Sequence, residues 1–155
     1  MMEVNTQGDP RPSPHTEFIY ELAEYLHAQG VCADPNADQR AVKNTPAVFA
    51  WQLRDQPDRA LAIFNTTLDA SLSDSNPTVR FSLCFRGPAE DQLTPVADAA
   101  NAWAVLHDLV NIELTATQQL LVCRRVVTDP PVPDSNSRWH QIDTYEATLA
   151  VPTSS

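Results

Sequence analysis

Glycine is scarce in this chain: Gly8, Gly30 and Gly87 are all it has. They stand too far apart to build a Gly-rich loop that cradles phosphate, which argues against that kind of nucleotide binding. Cysteine is equally rare. Cys32, Cys84 and Cys123 are odd in number and widely spaced. There is no C-x-x-C and no Cys/His cluster, so the pattern does not suit a structural zinc site. It reads instead as three free, buried thiols in a reducing compartment. Lys43 is the single lysine beside nine arginines, a bias we attribute to GC-rich codons and not to function. No stretch approaches the roughly 18 apolar residues of a membrane span. The opening MMEVNTQGDPRPSP is polar and proline-rich, without the apolar centre of a signal peptide. Together these features predict a soluble intracellular protein with no membrane contact. Net cationic charge is missing too: the formal charge is −10 and the sequence pI about 4.6. Nonspecific nucleic-acid binding needs a cationic surface that releases counterions, so a gripping contact with DNA is not expected. An acidic surface that DNA merely slides past is compatible with the same charge.

What is present points to one domain. At 155 residues with 43% hydrophobic residues, the chain can bury an ordinary core. We read residues 1–12 as a disordered tail, 13–151 as a single domain and 152–155 as a frayed end. Thirteen prolines imply stiff, extended connections. The clearest local signal lies between Thr78 and Val110. Val79, Phe81, Leu83 and Phe85 alternate with Arg80, Ser82, Cys84 and Arg86, as in a buried strand. The alternation ends at Gly87-Pro88. Thr94-Pro95 then opens a helix with Val96, Ala100, Trp103, Leu106 and Val110 on one stripe. This predicts Trp103 to be core.

Other elements follow from the same periodicities. Ser13-Pro14 suits the N-cap and first position of a helix running to about Gln29, with Phe18, Ile19, Leu22 and Leu26 on one stripe. Glu17 in its first turn suits the helix dipole, and Gly30 is the expected stop. Pro46–Leu53 leans toward strand. Ala60–Thr67, Gln119–Thr128 and Trp139–Val151 read as strands, Asp69–Pro77 and Thr128–Ser137 as loops, and Ile112–Ala116 is ambiguous. The order predicts an α+β fold: a mixed, mostly antiparallel sheet of about four to five strands with two main helices packed on one face. The strands at 60–67, 78–86, 119–128 and 139–151 are candidates for an exposed edge that pairs with another chain.

Candidate chemistry is thin. His15, His27, His107 and His140 fall near element ends, and their spacing does not converge on a metal. A Cys84–His107 nucleophile pair is formally open, but reactive thiols sit at helix N-termini or beside cations more often than mid-strand. Glu90, Asp91 and Asp98 could supply an acid–base pair; the dipole of the helix they open explains them without chemistry. Arg124 and Arg125 are adjacent on a strand, so one faces each side of the sheet, either solvated or paired with an acid of a neighbouring subunit. The expectation is no catalytic residues, no metal and no cofactor. Trp51 and Trp139 read either as interface anchors or as core.

Against these residues the chain resembles the minor capsid or tail-terminator family of long-tailed bacteriophages, over roughly His15 to Val151. The stretch Asp55-Gln56-Pro57-Asp58-Arg59-Ala60-Leu61-Ala62-Ile63 is similar to that family's "aPDraiai". VRFSLCFRG resembles its "vqfrvRG" strand. An Ala-rich helix ending near Leu106-His107 follows, then the basic strand LLVCRRVVT, a proline-containing loop, and Arg138-Trp139 leading into the last strand. Ser137 stands where the family often has glycine, and Val31–Val48 matches poorly. The resemblance implies a virion protein assembled in the host cytoplasm. It would form a homo-hexameric ring at the head-proximal end of the tail tube, stopping tube polymerisation. The tail tube protein and the head-tail connector would be its partners, with DNA passing through the lumen unbound. Ring closure needs two different complementary patches. Arg80, Arg86, Trp51, Arg138 and Trp139, with the loops Asp69–Pro77 and Thr128–Ser137, are the interface candidates, an Arg meeting an acidic patch to fix register. The alternatives are another neck or head-completion protein, an oligomeric binding module outside phages, and a small enzyme with an unrecognised site.

Overall fold

The computed structural model describes residues 14–69, 76–115 and 118–150; the expectations for 1–12, for Ser13 as a cap, for most of the Asp69–Pro77 loop, for Val151 and for 152–155 lie outside them. The first helix, α1 (Pro14–Ala28), starts at the expected proline. It buries Phe18, Ile19, Leu22, Ala23 and Leu26, a stripe at helical spacing. Its end is fixed by Gly30, whose φ is 81°. The N–H of Gly30 donates to the His27 carbonyl and that of Val31 to the Leu26 carbonyl, both at 2.9 Å. That double bond pattern closes the last turn and needs the left-handed glycine between its two donors.

Seven strands follow among the described residues: β1 (Ala47–Ala50), β2 (Ala60–Asp69), β3 (Thr78–Ala89), β4 (Leu109–Thr115), β5 (Gln118–Thr128), β6 (Val132–Pro133) and β7 (Arg138–Ala150). The second helix, α2 (Leu93–Leu106), lies between β3 and β4. The sheet order is β1-β2-β3-β7-β5-β4, with β6 a short addition to β7. Only the β1–β2 pair is parallel. The α+β class, the mixed and mostly antiparallel sheet and the two helices thus match expectation. The strand count does not: seven replace four to five. Of the ambiguous Ile112–Ala116 stretch, Ile112–Thr115 are part of β4 and Ala116 lies outside the described residues, and a two-residue strand sits inside the expected 128–137 loop.

The core forms where alternating residues of β3 and β7 meet the helices. Phe81 lies 5.3 Å from Phe18 of α1 and stacks on Tyr145 of β7 at 5.5 Å. Val79, Leu83, Phe85, Ala147 and Leu149 share this cluster with Ala99, Ala102 and Leu106 of α2. Each large apolar side chain here gains about 2 kcal/mol by leaving water.

Two boundaries differ from the sequence reading. β3 does not stop at Gly87-Pro88 but bulges past Arg86 and pairs Ala89 with Arg138. At Gly87 a Cβ would sit 2.8 Å from the Pro95 Cδ. The glycine is there because α2 starts almost on top of the strand, and a side chain would push them apart. The helix itself begins at Leu93. Asp91 caps it: one carboxylate oxygen accepts from the backbone N–H groups of Leu93 and Thr94 and the other from the Thr94 hydroxyl at 2.6 Å. These bonds, the hydroxyl's first, hold the Asp91 carboxyl below the usual carboxylate range.

The stripe predicted for α2 is corrected. Its buried residues are Pro95, Asp98, Ala99, Ala102 and Leu106. Val96 and Trp103 are each 41% exposed, and Val110 belongs to β4. Asp98 can lie on the inner face because Arg59 meets it with two donors, at 2.9 and 2.7 Å. Such a fork neutralises a buried carboxylate.

Candidate assembly surfaces

The two faces of the sheet are built differently. The even-numbered residues of β3 and β7 turn away from α1: Arg80 pairs with Glu146, Ser82 with Thr144, Cys84 with Ile142 and Arg86 with His140. At the Arg86 end this outer face is covered. The segment between β1 and β2, residues 51–59, folds over it and contains a cis Gln56–Pro57 bond. Arg86 is 3% exposed. Its guanidinium donates to the carbonyls of Arg54, Asp55, Pro57 and Asp58, the shortest at 2.6 Å. Burial pulls its pKa down, as does the nearby Arg138, while Asp58, Asp134 and Asp55 oppose the shift. Arg138, also buried, donates to the Asp55 carbonyl at 2.7 Å and approaches the carboxylates of Asp55, Asp58 and Asp134. A small second cluster of Ala47, Phe49 and Ala60, with Val42 and Leu53 against it, fills the space beneath.

The five interface candidates therefore separate. Arg86 and Arg138 point inward and clamp the 51–59 segment. Trp139 is half-buried on β7. Trp51 is 40% exposed and carries a φ of 73°, uncommon for a bulky residue and costly to hold. Arg80 is on the surface, with its head 3.1 Å from Glu146. The turn into β7 explains the glycine preference noted at Ser137. Its φ is 62°, its N–H donates to the Asp134 carbonyl, and its carbonyl accepts from the Glu90 N–H at 2.7 Å.

Beside the clamp, Cys84, His140 and Asp134 form a line. The Cys84 Sγ lies 3.5 Å from the His140 Nδ1, and the His140 Nε2 lies 3.0 Å from the Asp134 Oδ2. The formally open partner for Cys84 was His107; the structure puts His140 there, while the His107 Nδ1 accepts from the Arg125 N–H at 3.1 Å. A nucleophilic thiol must ionise. Burial pushes the Cys84 thiol up to about 12, only partly opposed by Arg86. Cys32 and Cys123 are raised to about 12 by burial as well. All three thiols are free and buried, as expected. Asp134 is held far below the usual carboxylate range, first by the His140 hydrogen bond, then by the N–H groups of Arg138 and Asn136. The line works as part of the turn that seats Arg138.

The edges were not foreseen. The four strands expected as candidate edges are all internal. The edges are β1 and β4. β1 is closed by Gln39, which is buried: its Oε1 accepts from the Val48 N–H at 2.9 Å while its amide nitrogen donates to the carbonyls of Asp34 and Ala37. β4 pairs with β5 alone among the described residues. Nothing in the sequence marks Gln39, since its partner strand comes nine residues later.

A second patch missed by the sequence is the outward side of α2. Leu93, Val96 and Trp103 are exposed there. Trp103 stacks on His107 at 5.2 Å and carries the Arg125 guanidinium 5.4 Å from its ring centre. Arg125 also reaches Asp143, 1% exposed, at 3.4 Å. The Asp143 carboxylate further accepts from Thr128 at 2.6 Å and Gln141 at 2.9 Å. A groove of about 290 Å³ opens between α2 and this network. As expected, Arg124 and Arg125 take opposite faces: Arg124 is exposed on the outer face, where its Cα partner is Glu146.

No protein-family model and no curated protein matches this sequence. A solved structure does: a chain of the "Virion of native gene transfer agent (GTA) particle" is similar at a TM-score of 0.60 and 17% identity, over 89% of this chain and 99% of that one. At that identity the likeness is one of fold. It spans nearly the whole of both molecules. No helix among the described residues is long and apolar enough to cross a membrane.

Proposed function

We propose that this chain is a structural virion protein of a phage-like particle, and within that class a tail terminator. In this reading it forms a hexameric ring at the head-proximal end of the tail tube, stops tube growth and meets the head connector, with DNA passing through the lumen. The observation that carries the reading is the fold shared, over 89% of this chain, with a chain of a gene transfer agent virion. The order of sequence features around Asp55–Ile63, Val79–Gly87 and Arg138-Trp139 supports the finer assignment. The acidic charge suits a lumen that DNA crosses without being gripped. In this reading the helices pack on one face of the sheet, which leaves part of the other for contacts between subunits. Trp51 and Arg80 touch neighbours directly, while Arg86 and Arg138 act by holding the shape of the 51–59 segment and Trp139 by supporting the turn beside it. No catalytic role is assigned: the thiol–imidazole–carboxylate line at Cys84, His140 and Asp134 has its thiol pushed up by burial.

The test is mass photometry with negative-stain imaging of the full chain over a concentration series, alone and with tail tube protein from the same particle. Rings of six with a central hole, free or on tube tips, are expected. A compact dimer in both settings would overturn the ring. Rings seated on the head side of the connector would move the protein to another neck position.

A further inference from the structure

We infer that the open part of the outer sheet face receives helix α1 of a second copy of this chain, through a match of charge and spacing. The inference rests on the self-assembly reading above and names its contact. On the outer face Arg80, Glu146 and Arg124 stand side by side on β3, β7 and β5. One carboxylate sits between two guanidiniums. It bonds Arg80 at 3.1 Å, so Arg124 is left exposed with its charge uncompensated, in a chain whose net charge is −10. The rows on either side are small or β-branched, Ser82–Thr144–Val127 and Thr78–Thr148–Val122. Val122 and Val127 are 41% and 46% exposed. This is a flat, weakly polar floor with cations at fixed points.

The complementary surface is on α1. That helix packs its apolar stripe on Phe81 from the opposite side of the sheet, and it presents Glu17 and Glu24 outward. Seven residues of helix advance about 10.5 Å. Two strand spacings from β3 to β5 cover about 9.6 Å. A helix laid across the strands thus sets Glu17 and Glu24 over Arg80 and Arg124 together, with the turn between them, which carries the half-buried Glu21, over Glu146, so that the two guanidiniums meet the acids of both copies. Acidic helix and cationic row lie on opposite sides of one molecule. The contact is therefore heterologous and propagates from copy to copy, the kind of interface that closes into a ring or grows. It cannot form a closed two-fold dimer, because each patch finds its complement only on the next copy.

The experiment uses charge reversal in the full chain. The variant Arg80→Glu with Arg124→Glu and the variant Glu17→Lys with Glu24→Lys each change exposed residues, and circular dichroism checks that both fold. Each is expected to weaken self-association on the order of a hundredfold, since like charges then face each other across the contact. The chain carrying all four changes is expected to recover assembly, and the wild-type assembly to loosen as salt rises. Recovery is a readout that loss of fold cannot imitate. Wild-type rings that persist unchanged in both reversed variants, or a fourfold variant no better than either, would overturn this contact while leaving the ring standing. A wild-type chain that stays monomeric, alone and with tube protein, would overturn both.

Discussion

Arg80 and Arg86 lie six residues apart on β3 and point to the same side of the sheet, yet they live in different worlds. The Arg80 side chain is 55% exposed and meets one carboxylate. Arg86 is sealed under the 51–59 segment, where it serves four backbone carbonyls. Alternation along a strand says which face a residue takes. It does not say whether a loop covers that face. The covered end spends its guanidiniums on groups of its own chain, and the open end offers a surface. A guanidinium suits both places, because it stays charged when buried and its planar fork can satisfy several acceptors at once.

The largest effect is expected at the covered end. Arg86→Ala removes a buried cation and takes this donor from the carbonyls of Arg54, Pro57 and Asp58, while the Asp55 carbonyl keeps its bond from Arg138. Such losses cost the desolvation of the stranded groups, here about 3 kcal/mol or more. Urea denaturation should show that drop, and limited proteolysis should cut first within residues 51–59. Arg86→Lys should recover little, since an ammonium on a flexible stem cannot reach all four oxygens from one position. If Arg86→Ala is as stable as wild type, the clamp does not hold the segment, and the contrast between the two ends collapses.

The same contrast shows what could be read from the chain alone. The alternation of β3 was legible because its inner face from Val79 to Phe85 is purely apolar, and that of β7 because Tyr145, Ala147 and Leu149 keep the same period behind the polar Gln141 and Asp143. The end of α1 was legible because a left-handed position selects glycine locally. The face of α2 was not. Two stripes at helical spacing compete on it: Val96, Ala100 and Trp103 on one side, Pro95, Ala99, Ala102 and Leu106 on the other. The inner stripe is made of small residues and contains Asp98, which looks like surface until Arg59, 39 residues away, is seen to neutralise it. The larger side chains won the sequence argument, and close packing on the sheet won in the fold. Of the interface candidates, Trp51 and Arg80 kept their exposure. Arg86 and Arg138 did not, because the carbonyls that bind them come from a segment whose path depends on tertiary structure.

A second comparison, between the two edges of the sheet, predicts an intermediate effect. β1 is closed by Gln39 and β4 is paired on one side only. Gln39→Ala would leave the Val48 N–H without its side-chain acceptor and take one donor from the carbonyls of Asp34 and Ala37, at about 2 kcal/mol. It would also uncover a second edge. Thermal denaturation should report the first consequence, and light scattering near the midpoint the second, because bare edges template association of the wrong kind. A variant that loses stability without gaining aggregation would show that β1 is too short and too buried to act as an edge, whatever caps it.

The smallest effect belongs to Arg80, and its smallness is the point. Its ion pair with Glu146 is exposed on both sides, 55% and 41%, so water and salt already screen the attraction. Pairs of this kind contribute about 0.5 kcal/mol. Arg80→Ala should therefore leave the denaturation midpoint nearly unchanged, where Arg86→Ala on the same strand moves it far. Self-association is another matter. The truncation frees Glu146 to face an incoming carboxylate and leaves Arg124 as the only cation of the row, so the assembly threshold should rise even though the fold is indifferent. Stability unchanged with assembly weakened would mark the residue as serving the contact and not the monomer. A large stability loss at Arg80 would mean the open end is load-sharing like the covered one, and the division of the outer face into a sealed half and an offered half would have to be given up.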